Sequence, residues 1–77
     1  MNLELYYFDG CPFCQKVFRY MEQNGIEVDT RNIYEDDEAY RTLRRVGGKI
    51  QVPCLMIDGD AMYESDDIIA WMAENLA

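Results

Sequence analysis

The alternation of apolar and polar positions divides the chain into short segments. Residues 2–8, NLELYYF, place Leu3, Leu5 and Tyr7 on one face and Glu4 and Tyr6 on the other, the period-two pattern of a strand. From Phe13 to Asn24 the period lengthens: Phe13, Val17, Phe18, Tyr20 and Met21 recur at helical spacing, and Gly25 supplies a left-handed stop. Residues 26–34, IEVDTRNIY, return to alternation through Ile26, Val28 and Thr30 and predict a second strand. Asp36 to Arg45 predicts an amphipathic helix through Ala39, Tyr40 and Leu43, ended by Gly47-Gly48. VPCLMI (52–57) and AMYE (61–64) flank Asp58-Gly59, a strong two-residue hairpin signal. The last segment opens on Ser65 as a capping residue. Asp66 and Asp67 suit the positive end of a helix there, and Ile68, Ile69, Trp71, Met72 and Leu76 form its apolar face.

The predicted order is βαβαββα. Strand, helix, strand implies a right-handed crossover and a parallel pair, and the hairpin adds an antiparallel pair. An α/β fold with a four-stranded mixed sheet and helices on both faces is expected. The 77 residues make one small domain, 1–77, near the size at which a single core is just sufficient. No apolar run reaches the roughly 18 residues of a membrane span, and the opening MNLELYYFDG lacks the basic start of a secretion signal, so a cytoplasmic monomer away from membranes is expected. A net charge of −8 opposes binding to a phosphate backbone, which excludes nucleic acid as a natural partner.

Candidate chemistry sits in Gly10-Cys11-Pro12-Phe13-Cys14, at the strand-to-helix junction. The chain has 3 cysteines and no histidine, too few ligands for a structural zinc site and an odd number for a disulfide scaffold. No metal is expected. A dithiol at a helix N-terminus meets unpaired N–H groups and partial positive charge, both of which stabilise a thiolate. Pro12 suits the first helical position, so Cys11 falls at the cap and Cys14 one turn in, where it is expected to be more buried. This assigns attack on a disulfide sulfur to Cys11 and resolution of the mixed disulfide to Cys14.

CPFC after a first strand, VP before a third strand and SDDI opening the last helix together resemble glutaredoxins, which have a thioredoxin fold. The resemblance in order and spacing covers essentially the whole chain. It implies a cis Pro53 facing the dithiol, a main-chain contact from Val52 to the cysteinyl part of glutathione, and a γ-glutamyl site at Ser65 and Asp66. A helix N-terminus suits a carboxylate and an acidic side chain suits an ammonium, in keeping with that placement. Phe13 flanks the substrate in this reading. The implied activity is glutathione-dependent thiol–disulfide exchange on glutathionylated or disulfide-bonded proteins, with glutathione as co-substrate.

The chain also departs from the family. Where glutaredoxins commonly carry a lysine three residues before the first cysteine, this chain has Phe8, followed by Asp9. Lys49 is then a candidate for the glycyl carboxylate of glutathione, or a solvated loop lysine, and Gln51 is a polar contact to the tripeptide or an exposed residue at a strand entry. Cys54 reads as a core residue or as a third thiol beside the dithiol. Tyr7, Tyr20 and Trp71 are expected to fill the core, and YEDDEAY (34–40) to be a solvated helix start. Glu64-Ser65 is similar to the start of the same helix in glutathione transferases, whose N-terminal domain is followed by a helical one that these 77 residues do not include. Three alternatives stand beside the glutathione-dependent enzyme: a thioredoxin-like electron donor fed by a flavoprotein reductase, a glutathione-ligated iron–sulfur carrier, and a non-catalytic glutathione-binding module.

Overall fold

The computed structural model describes residues 1–76. Its elements are β1 (Leu3–Tyr7), α1 (Pro12–Gln23), β2 (Asp29–Asn32), α2 (Asp37–Thr42), β3 (Cys54–Ile57), β4 (Asp60–Tyr63) and α3 (Ser65–Asn75), in the predicted order. The strands lie side by side as β2-β1-β3-β4. β1 pairs parallel with β2, with Leu5 opposite Thr30, and antiparallel with β3, with Leu5 opposite Leu55. β4 completes the sheet antiparallel to β3. This is the topology of a thioredoxin fold.

Strand alternation delivers neighbouring residues of β1 to two separate cores. Leu5 packs with Leu55, Val17, Met21, Ile68 and Met72 beneath α1 and α3. Tyr6 packs on the other face with Cys54, Met56, Ala39 and Leu43 beneath α2. Both sheet faces are therefore covered. The fully buried aromatic is Tyr6, while Tyr7, Tyr20 and Trp71 are half-buried at the margins. Tyr6 keeps its hydroxyl at a polar edge, where Arg31 Nη1 donates to it at 3.3 Å.

Local chemistry sets the element boundaries. α1 ends in a Schellman arrangement: Gly25 has φ 64°, its N–H donates to Glu22 O at 3.4 Å, and the Ile26 N–H reaches back to Met21 O at 2.9 Å. Ile26 and Met21 then pack together, so Ile26 belongs to the helix stop, and β2 begins at Asp29 instead of at residue 26. Asp58 and Gly59, with φ 50° and 90°, form the tight turn between β3 and β4. The helix expected over Asp36–Arg45 is α-helical only to Thr42 and widens into a π turn at Leu43–Gly47. That turn lies against β4, where Gly47 packs on the Tyr63 phenol so closely that a Cβ would stand 2.7 Å from Cζ. No helix among the described residues is long and apolar enough to cross a membrane.

Candidate functional site

α1 starts one residue earlier than its apolar periodicity indicates, at Pro12, whose missing N–H costs the first turn nothing. Cys11 is the N-cap in extended conformation, and its Sγ accepts the backbone N–H of Cys14 at 3.3 Å. The sulfur thus occupies the position at which a serine or aspartate oxygen would cap a helix. On its other side the Cys11 thiol faces the Val52 carbonyl at 3.8 Å. The Val52-Pro53 peptide bond is cis.

The two thiols differ in surroundings. Cys11 is 4% exposed and Cys14 fully buried. Burial, followed by the hydrogen bond with Cys11, pushes the Cys14 thiol up to about 12. Cys54 is also fully buried and belongs to the same apolar cluster as the dithiol, and burial pushes its thiol up to about 11. Both Cys14 and Cys54 are therefore neutral thiols at pH 7. The three cysteines are unpaired.

Beside Cys11 opens a groove of about 290 Å³. Gln51, Val52 and Pro53 form one wall, Glu64, Ser65 and Asp66 at the start of α3 form a second, and Phe13 and Lys16 of α1 close the third side. Phe13 is 63% exposed, an aromatic ring held in water next to the dithiol. Lys16 forms an ion pair with Asp66, joining the second turn of α1 to the first turn of α3. Gln51 Nε2 donates to Glu64 Oε1 at 3.2 Å, tying the first two walls together.

The fold brings the predicted residues Phe13, Gln51, Val52, Pro53, Ser65 and Asp66 around one groove next to Cys11 and Cys14. Lys49 is placed differently. It is exposed, lies outside the groove lining, and holds its ammonium 4.6 Å from the centroid of the Tyr63 ring. Tyr63 also donates to the Lys49 carbonyl at 2.8 Å, so backbone and side chain of Lys49 are both engaged by that phenol. Ser65 is the first helical residue and not the cap: Glu64 takes the cap position with φ 72° and makes no capping bond. Sequence reasoning missed Lys16 and Glu64. The signal for Lys16 was its place in the second turn of α1, on the side that meets α3.

The sequence profile of the family described as "Glutathione S-transferase, N-terminal domain" matches residues 5–77. A "Probable glutaredoxin" of Synechocystis sp. is 32% identical over 70 residues, covering 90% of this chain and 80% of the relative. The chain belongs to the glutaredoxin family. Its fold is similar to that of the glutaredoxin-like NrdH-redoxin from Escherichia coli, at 25% identity and a TM-score of 0.78, over 94% of this chain and 95% of that one. It is also similar to a glutathione S-transferase from Methylobacillus flagellatus with glutathione bound, at 22% identity and a TM-score of 0.79, over 96% of this chain and 37% of the transferase. Its glutaredoxin-like and thioredoxin-like relatives make the protein a thiol oxidoreductase.

Proposed function

We propose that the protein is a glutathione-dependent thiol–disulfide oxidoreductase acting in a reducing, cytoplasmic compartment on protein–glutathione mixed disulfides and, through both cysteines, on protein disulfides. One observation supports this reading most: Cys11 Sγ caps α1 against the Val52 carbonyl, beside a groove whose opposite wall is the start of α3.

In this mechanism the Cys11 thiolate attacks the glutathione sulfur of a mixed disulfide. The substrate protein's sulfur leaves with the bonding pair and takes up a proton, and glutathione stays on Cys11 as a new disulfide. A second glutathione, as its thiolate, attacks the glutathione sulfur of that adduct. Glutathione disulfide departs and Cys11 is a thiolate again. With a protein disulfide, Cys11 instead becomes joined to one substrate sulfur. Cys14 then loses its proton and attacks Cys11 Sγ, expelling the substrate thiolate and leaving a Cys11–Cys14 disulfide. A Cys14 thiol pushed up to about 12 stays protonated at pH 7 and does not compete as the first nucleophile.

A second reading is a thioredoxin-like electron donor. It is favoured by the likeness, over nearly the full length of both chains, to NrdH-redoxin, a protein described by its thioredoxin-like activity profile. The two readings separate in one assay. The protein is given a glutathionylated peptide and NADPH, once with glutathione and glutathione reductase and once with thioredoxin reductase. Turnover is expected with the first system only; turnover with thioredoxin reductase alone establishes the donor reading instead.

A further inference from the structure

The end of the sheet that carries Cys11 has a second side. With β1 parallel to β2 and antiparallel to β3, the exit of β2 and the entry to β3 lie at the same end as the exit of β1, on opposite sides of it. The groove is built on the β3 side, from Gln51 to Pro53 and the start of α3. On the β2 side the Ile33 N–H donates to the Tyr7 carbonyl at 2.9 Å, which carries the chain on to Tyr34 beside Phe8. The two rings lie with centroids 5.2 Å apart and planes 32° from parallel. Phe8 packs inward against the cluster that holds Cys11 and Cys14, whereas Tyr34 is 66% exposed. The pair is thus anchored on the core of the dithiol and open to water at its outer ring.

Asn32 sets what borders the rings. Its Oδ1 accepts the Tyr34 N–H at 3.0 Å, and its Nδ2 donates to Asp9 Oδ2 at 3.4 Å and to Glu35 Oε1 at 3.3 Å. One amide therefore holds the outer aromatic residue and two exposed carboxylates together, directly before Gly10-Cys11 in the chain. An apolar surface with an acidic border suits one side chain best. A guanidinium is planar, stacks on aromatic faces and bonds carboxylates in a fixed fork.

We propose that the Phe8–Tyr34 surface docks the polypeptide half of a glutathionylated substrate, and that it selects a polypeptide with an arginine next to the reacting cysteine. This rests on the glutathione reading given above: the glutathionyl half lies in the groove on the β3 side, and the polypeptide half leaves Cys11 towards β2. The chemical step is unchanged. The Cys11 thiolate bonds the glutathione sulfur, and the peptide sulfur departs with the bonding pair and takes up a proton.

The test uses three glutathionylated peptides that differ only in the residues flanking the cysteine, which are arginine, glutamine or glutamate. They are reduced with glutathione, glutathione reductase and NADPH at low ionic strength. Each kcat/KM is divided by the rate constant for cleavage of the same peptide by 2-mercaptoethanol, which removes the effect of flanking charge on the leaving thiol. Exposed stacking and ion-pair contacts are individually weak, so the arginine peptide is expected about fivefold above the glutamine peptide, with the glutamate peptide lowest. Tyr34→Ser and the double variant Asp9→Asn/Glu35→Gln are each expected to bring the arginine-to-glutamine ratio below about twofold. Taking the ratio within one variant cancels any change in Cys11 itself. The double variant Glu22→Gln/Glu74→Gln removes as much charge at the far ends of α1 and α3, and is expected to keep the ratio. Equal normalised values for the arginine and glutamine peptides overturn the docking surface, as does a ratio that survives Tyr34→Ser or the Asp9 and Glu35 changes. A ratio that falls as far in the Glu22 and Glu74 variant assigns the preference to the net charge of −8 and overturns it too. In each of these cases turnover leaves the glutathione reading standing, whereas no turnover of any peptide overturns both.

Discussion

The backbone N–H of Cys14 donates to Sγ of Cys11 at 3.3 Å, while the Cys14 thiol itself is fully buried. One residue thus offers its main-chain N–H to its partner's sulfur, while burial keeps its own sulfur neutral. Cys11→Ser is expected to abolish reduction of a glutathionylated peptide. Cys14→Ser is expected to retain most of that activity, since the donating N–H is main chain, and to lose reduction of protein disulfides. Steady-state assays of both variants on both substrates check this, and equal loss in the two variants on the peptide would refute the division of roles.

Gly47 packs against a phenol that is fixed from two directions. Tyr63 donates to the Lys49 carbonyl at 2.8 Å and carries the Lys49 ammonium over its ring. A methyl group at position 47 would overlap the Tyr63 hydroxyl, so Gly47→Ala is expected to destabilise by about 1–3 kcal/mol despite the better helix propensity of alanine. Urea unfolding measures the loss. In a Tyr63→Ala background the same substitution is expected to cost much less, giving a coupling term in a double-mutant cycle.

Asp36 caps α2 by accepting the Ala39 N–H at 3.1 Å and accepts from Arg31 Nε at 3.0 Å. These contacts, the Ala39 bond foremost, hold its carboxyl below its ordinary value of 3.8. A carboxylate favoured in the folded state stabilises above the unfolded value, and that contribution disappears as pH falls through the folded one. Asp36→Ala is therefore expected to have a lower urea midpoint than the wild type at pH 7. The difference should shrink below about pH 4 as the unfolded-state carboxyl protonates. A gap that stays constant between pH 7 and pH 3 would show that the charge contributes nothing.

The fold was legible wherever one local signal settled the backbone. Cys11-Pro12 marked the entry to α1, and Asp58-Gly59 supplied the two positive φ values that the hairpin requires. Boundaries were less legible where neighbouring elements share residues. Ile26 alternates properly with Val28, yet the helix stop claims its N–H. At the π turn Gly47 meets Tyr63, 16 residues away in sequence, a contact that no local pattern reports. The groove followed the same rule. Gln51, Val52 and Pro53 are contiguous and arrive together, whereas Lys16 and Asp66 meet only because α1 packs on α3. Lys49 lies close to Val52 in sequence, but the pull of the Tyr63 ring sets its direction.

Phe13 keeps most of a large ring in water within the motif that carries the chemistry. Covering such a ring is worth roughly 1.5–3 kcal/mol to whatever covers it, through a force without direction or chemical preference. Every visitor to the dithiol therefore gains a similar grip there, be it a peptide, a folded protein or a second copy of this chain. Selection among visitors has to be made by polar groups, and those sharing the groove with that ring are Lys16, Gln51 and the short stretch from Glu64 to Asp66.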